Sequence, residues 1–565
     1  MLLPLLAVSR ILLKASTATK YLLFPITGSL VGRGCKIVDL SAKGKVQKMW
    51  LIKAYREREN MTVKIDGESL CIEDVVRVAR HGDFVQLADV AGEKVLRSRK
   101  TLETLAENSK RPIYGVNTGF GRLVTKRISS DELRQLQENL ILSHSAGVGF
   151  PLPQEVVRAT MLLRVNSLAK GYSGVRLVIL DTLVEMLNKK VHPVVPRKGS
   201  LGASGDLAPL AHIAAVMLGR GKAYFNGALV SGEVAMGKAG IKIIKLESKE
   251  GLALINGTQA TSAVLSLAAY DSKHLLKIGD VAGALSVFML NGNISQFAQE
   301  IQYARPHPGQ IISAKNLRRL FGDAAQGSRE NLQDAYSLRC IPQVHGAVRA
   351  ALRHATSVLV TEINSATDNP LIFPEENKIL SGGNFHGEPV ALIADYLKLA
   401  MAELGSISER RINRLLHPDL NGDLPPFLVD DPGLNSGYML AHYTAASLVA
   451  ENKVLAHPSC VDSIPVSGDQ EDHVSMGMNA ALHLSEVVKN VGYILAVELL
   501  CACQANEYVK RPIPKALGGV YQAVREQIPA MKKDEEVYPH IEAANRLVWG
   551  KTLMETVSSS IGELD

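Results

Sequence analysis

The sequence predicts an all-α protein built around a bundle of long central helices, with a small mixed N-terminal part and one short hairpin. Three observations carry this. From Ile393, apolar residues recur at Leu397, Ala400, Leu404 and Ile407, in steps of four and three that mark one helix face. Ala481–Ala505 is apolar around most of its circumference, through Leu482, Leu484, Val487, Val488, Val491, Ile494, Leu495, Val497, Leu499 and Leu500. A helix apolar all round belongs inside a larger bundle. Strand signals are few, which argues against a doubly wound sheet.

In chain order, residues 1–60 read as an extension, disordered or dispensable. They hold 11 Lys/Arg and 3 Asp/Glu, and their apolar runs are broken by Arg10, Lys14 and Lys20. None reaches the ~18–20 apolar residues of a membrane span. A regular pattern begins at Met61, a second in-frame start. Thr62–Ile65 alternates and meets Asp66-Gly67, a turn signal. Ala223-Tyr224-Phe225 and Ala228-Leu229-Val230 flank Asn226-Gly227, which reads as a hairpin on a type I′ turn. Residues 61–260 are taken as the part carrying the reactive tripeptide described below. Residues 261–565 are taken as the central bundle and C-terminal helices.

Bulk properties narrow the function. The chain has 565 residues, 46% hydrophobic and 21% charged, which is globular composition. The net charge of +7 resides in the extension, whose +8 leaves −1 for the body. A near-neutral body gives no reason to expect nucleic acid or an anionic membrane as partner. Six scattered cysteines do not form a disulfide framework, and a reducing cytoplasm is the simplest expectation. There is no dinucleotide fingerprint, Walker lysine loop or His-Glu-x-x-His. The histidines do not fall into metal-ligand spacings, so no metal or nucleotide cofactor is expected.

The most informative stretch is Gly202-Ala203-Ser204-Gly205-Asp206-Leu207-Ala208-Pro209-Leu210-Ala211-His212. Gly205 lacks a side chain, so its amide nitrogen can approach the Ala203 carbonyl carbon. Attack closes a five-membered ring, and loss of two waters leaves a methylene conjugated to an imidazolone. That is a carbon electrophile, which no ordinary side chain supplies. The same residues also read as a plain helix entry, with Asp206 as N-cap and Pro209 in the first turn. A serine-hydrolase elbow would need Gly where Asp206 stands.

Further polar clusters break otherwise apolar surroundings. Tyr114 lies in the Gly-rich Tyr114–Gly121. His144 lies in Ser143-His144-Ser145-Ala146-Gly147. Asn256-Gly257-Thr258-Gln259 interrupts a helical run, where Gly costs roughly 1 kcal/mol against Ala. Gln333, Tyr336 and Arg339 lie in Gln333–Cys340. Phe385 lies in Gly382–Glu388, and Glu471 in Gln470-Glu471-Asp472-His473.

Together, in this order, these motifs resemble the histidine and aromatic amino-acid ammonia-lyases, from about Met61 to the C-terminal region. Ser143–Gly149, Tyr336–Cys340 and Gln470–Met476 are most similar to the histidine branch. Phenylalanine lyases typically carry an amide where Glu471 stands, and tyrosine lyases a bulky residue where Ser145 stands. The resemblance implies a fold similar to the fumarase and aspartase group, and a homotetramer with shared active sites. It implies a 4-methylidene-imidazol-5-one (MIO) group formed from Ala203, Ser204 and Gly205, and loss of ammonia from an amino acid. An aromatic lyase or 2,3-aminomutase with the same ring is the alternative.

The implied roles follow. Arg339 offers a planar fork to the substrate carboxylate. Tyr114 is first choice for the base that takes the β-proton; a free tyrosine has a pKa of about 10, so the role needs that value depressed. Glu471 is the rival base, or holds an imidazole together with His144. Tyr336, Asn256 and Gln333 orient the substrate, and Phe385 packs against the electrophile.

Overall fold

The helices that build and position the site are α1 Leu133–His144, α2 Gln154–Ala169, α3 Leu207–Met217, α4 Glu250–Ile255, α5 Gln259–Met289, α6 Ile341–Ile363, α7 Glu388–Leu416, α8 Met439–Leu455 and α9 Gly477–Ala505. The computed structural model describes residues 62–108, 113–116, 118, 132–323 and 332–565. The expected extension 1–60, and most of the loop after Val116, lie outside these residues. Val63–Asp565 forms one compact unit.

Helix α9 lies at the centre, packed against α5, α7 and α8, while α6 packs on both α5 and α7. Every residue of α9 from Ile494 to Ala505 is buried, which is what an all-round apolar sequence requires. On α7, Ile393, Leu397, Leu404 and Ile407 face the core, while Leu392, Tyr396 and Leu399 point outward. Polar bonds cross the bundle where charge enters it. Glu498 of α9 accepts from Arg411 Nε (2.5 Å) and Nη2 (2.8 Å) on α7, from Ser408 Oγ (2.6 Å), and from Ser286 Oγ of α5 (2.7 Å). Asp280 of α5 is held by Arg349 Nη2 (2.6 Å) and by His345 Nδ1 (2.8 Å), both on α6.

The strands among the described residues are short: β1 Thr62–Ile65, β2 Phe84–Leu87, β3 Val148–Pro151, β4 His192–Pro193, β5 Pro196–Lys198, β6 Lys222–Phe225, β7 Ala228–Ser231, β8 Leu371–Phe373 and β9 Lys378–Leu380. The hairpin is β6–β7, with Phe225 opposite Ala228. Its turn residues Asn226 and Gly227 have φ of 50° and 79°, as type I′ requires. The pairs β3–β5 and β8–β9 have no alternating signature, and sequence reading did not anticipate them. The first of these matters for the site, because β5 delivers the chain into Gly199–Gly205.

Candidate active site

The tripeptide sits in a tight turn between β5 and α3. Ser204 has φ of 52°, a left-handed conformation that costs a non-glycine residue roughly 1–2 kcal/mol. Gly205 N donates to Gly202 O at 3.3 Å. A strap at the junction of α4 and α5 grips both sides of the turn: Gly257 N donates to Ser204 O (3.3 Å), and Asp206 N donates to Gly257 O (2.7 Å). A Cβ at Gly205 would collide with the Gly257 carbonyl, and one at Gly202 with Ser475 Oγ.

Asp206 occupies the N-cap position of α3, but its side chain does not cap that helix. Instead it accepts from Thr261 N (2.7 Å), Thr261 Oγ1 (2.8 Å) and Ser200 Oγ (2.9 Å). It ties the turn to the start of α5, which corrects the expected cap. Burial raises its pKa, against those bonds.

A cavity of about 250 Å³ opens beside the turn, lined by Ala203, Gly205, His144, Leu201, Val466 and Glu471, among others. So Ala203, Ser204, Gly205, His144 and Glu471, distant in sequence, meet at one place. Ser204 Oγ donates to Glu471 Oε1 at 3.2 Å. Burial raises the Glu471 pKa above the ordinary 4.5, partly offset by that hydroxyl. His144 ends α1, with Ser143 Oγ 3.1 Å from its Nδ1, and burial lowers its pKa. His144 and Glu471 thus line the same opening. Leu201, Val466 and Ser467 also line it, and nothing in their sequence context marked them. A larger cleft of about 760 Å³, lined by Arg80, Lys273 and Trp549 among others, includes none of the motif residues. Two of its cations are paired, Arg80 with Asp271 and Glu155, Lys273 with Glu73.

Asn256 is 2% exposed. Its Nδ2 donates to Asp368 Oδ1 (3.2 Å) and Asn369 O (3.1 Å), leaving its Oδ1 buried without a partner. Tyr114 is half-buried in a turn whose next residue, Gly115, presses on Leu252 of α4. Phe385 is half-buried in a loop that reaches Ser475 and Thr258 through Gly387. Gln333, Tyr336 and Arg339 form a cluster of their own. Arg339 Nη1 donates to Gln333 Oε1 (2.8 Å), and its guanidinium lies 4.7 Å from the Tyr336 ring centre. Tyr336 is 69% exposed, and this cluster contributes nothing to the lining of the small cavity.

His386, Glu388 and His473 also come together, a grouping of possible metal ligands that sequence spacing concealed. The two rings stack at 5.8 Å with planes only 4° apart. His386 Nε2 lies 3.2 Å from His473 O, which braces the loop behind Glu471.

Residues 70–526 match the family model described as aromatic amino acid lyase. The chain belongs to that family, a class of ammonia-lyases. It is 55% identical over 485 residues to a histidine ammonia-lyase of Caldanaerobacter subterraneus subsp. tengcongensis, spanning 85% of this chain and 95% of that one. Among solved structures, histidine ammonia-lyase from Trypanosoma cruzi superposes with a TM-score of 0.83 at 40% identity, covering 88% of this chain and 96% of the other. Tyrosine aminomutase from Streptomyces globisporus superposes with a TM-score of 0.85 at 39% identity, covering 89% and 100%.

Proposed function

We propose that the protein is a histidine ammonia-lyase, converting L-histidine to trans-urocanate and ammonia. The observation that carries this is the meeting of Glu471 and His144 across one small cavity beside Ser204. A purely apolar pocket has no use for a half-buried carboxyl, whose burial costs free energy unless it is paired. An imidazole N–H is the partner it suits. The names of the curated relatives agree.

The residues present fit an MIO group: Ser204 is left-handed, Gly205 has no room for a side chain, and the strap clamps the turn. When formed, the group supplies an electrophilic carbon that takes the substrate amine and makes it a better leaving group. The chain's own residues do the rest. Glu471 and His144 orient the imidazole. Tyr114 removes the β-proton, with Glu471 the rival base. Arg339, its fork fixed by Gln333 and Tyr336, binds the substrate carboxylate. Asn256 offers its unpaired Oδ1 as an acceptor. Phe385 shields the site from water.

The exposed Tyr336 cluster suits a site completed by another copy of the chain, in a homotetramer. Residues 61–260 carry the reactive turn and 261–565 the bundle. Among the described residues no helix is long and apolar enough to cross a membrane, and the cytoplasm is the proposed location. An aminomutase is the second reading, favoured by the tyrosine aminomutase superposition.

The test is incubation with L-histidine while following urocanate absorbance, with product analysis on tyrosine and phenylalanine. Urocanate is expected from the wild type, and Ser204→Ala is expected to lose nearly all of it. β-Amino acid as the main product would overturn the lyase reading, and full activity in Ser204→Ala would overturn the ring.

A further inference from the structure

Arg164 is a cation 1% exposed in the middle of α2, with no carboxylate within ion-pair distance among the described residues. Burial lowers its pKa to about 10, eased only from a distance by Asp368 and Asp206. Keeping such a group dry is costly unless its donors are used. Its two terminal nitrogens are used on one target, while Nε is buried without a partner. Nη1 donates to Ala253 O (2.7 Å) and Asn256 O (2.9 Å), and Nη2 to Gln259 Oε1 (2.5 Å). These acceptors bracket residues 253–259, the last turn of α4, the strap and the first residue of α5. Arg164 therefore holds the strap from behind while Gly205 presses on its front. A Cβ at Gly257 would lie 2.7 Å from Arg164 Nη2.

The backing is reinforced on one side. Asp368 holds the Asn256 amide through Oδ1 and takes Lys249 Nζ (2.8 Å) on Oδ2, both groups fully buried. Gln259 Nε2 donates to Thr367 Oγ1 at 2.6 Å. The strap is thus a rigid plate with charged groups behind it and the reactive turn in front.

We propose that Arg164 is a positioning residue for ring closure, acting through the strap rather than on the reacting atoms. This rests on the reading that Ala203-Ser204-Gly205 cyclises. In that reaction a bond forms between Gly205 N and Ala203 C. The former carbonyl oxygen leaves as water with the Gly205 and Ser204 amide hydrogens. The Ser204 hydroxyl leaves as a second water with the Ser204 Cα hydrogen. No oxidant or co-reactant is needed. The barrier lies in holding Ser204 left-handed with Gly205 N against Ala203 C. The two strap hydrogen bonds do this from either side, and Arg164 fixes the strap.

The test reads intact mass of the purified full chain, with far-UV circular dichroism and melting temperature alongside. Wild type is expected two waters lighter than its sequence. Arg164→Lys keeps the charge but not the fork, and is expected to fold while leaving at least half of the chains uncyclised. A helical Arg164→Lys protein that is fully cyclised overturns the proposal. If that variant does not fold, Gln259→Leu removes one acceptor of the fork, and an uncyclised fraction is expected there too; complete cyclisation overturns the proposal equally. A wild-type chain with no missing water refutes the ring itself, which separates that failure from a failure of Arg164.

Discussion

Glu471 places one oxygen 3.2 Å from Ser204 Oγ, and burial raises its pKa above the ordinary 4.5. The proposed ring closure would remove that hydroxyl and leave the oxygen facing the new methylene and whatever ring lies over it. A hydrogen bond to a charged group is worth about 1.5–3 kcal/mol. Glu471→Gln is therefore expected to lose about tenfold to a hundredfold in kcat/KM for histidine, with less effect on phenylalanine. The raised pKa adds a pH signature. A carboxyl that binds as the anion loses function as pH falls through its own pKa, so the acid limb for histidine is expected above pH 4.5. The Gln variant is expected to lack that limb. A pH profile unchanged by the substitution would remove Glu471 from imidazole recognition. At Gly205 the argument is steric, since with φ of 79° and the Gly257 carbonyl in the way no larger residue fits.

Helices α5, α7 and α9 owe their mutual register to more than apolar packing. Arg411 and Glu498 are both wholly buried and bonded through two guanidinium nitrogens, with Ser286 and Ser408 filling the remaining acceptor positions. Removing one partner strands a buried charge, at a cost of roughly 3–5 kcal/mol. Glu498→Ala is expected to lower the melting temperature clearly, and an unchanged Tm would mean that water reaches Arg411. Helix-scale features were legible where periodicity reports burial, as in the α7 stripe and the all-apolar α9. The break in the helical run at Asn256-Gly257 was legible too, because it costs helix free energy without an apolar return, but its grip on the Ser204 turn was not. Arg164 was not legible. In Val156–Ala169 it looks like an ordinary helical arginine, and only tertiary contact shows it buried. Asp206 was misread in role because a residue before a helix suits a cap, whereas its partners Ser200 and Thr261 come from other segments. The His386–His473 stack and the β3–β5 pair depend likewise on chain returns that local sequence does not encode.

At the scale of the molecule, the outward residues are unusual for a protein that works alone. Leu392, Tyr396 and Leu399 on α7, with Leu440 and Tyr443 on α8, are each between 45% and 60% exposed. Contiguous apolar helix faces of this kind are normally covered by a partner. Tyr336 is 69% exposed beside Leu332 at 91%, although its proposed task is to face substrate. Both observations are met if a second copy brings its Ser204 cavity to this cluster. Sharing of that kind has a consequence that single-chain sites lack. If the site is shared in this way, Ser204→Ala and Tyr336→Phe would each disable one half of it. Co-expressed in equal amounts, they assemble some sites whose tripeptide comes from one variant and whose tyrosine comes from the other. With random assembly in a symmetric oligomer, about a quarter of the sites are intact. The expected result is urocanate formation near that fraction of wild type from the mixture, against far lower rates from either variant alone. Isolation of mixed oligomers by two affinity tags ensures that assembly has occurred. Mixed oligomers with no recovered activity would show that Ser204 and Tyr336 serve the same site from one chain.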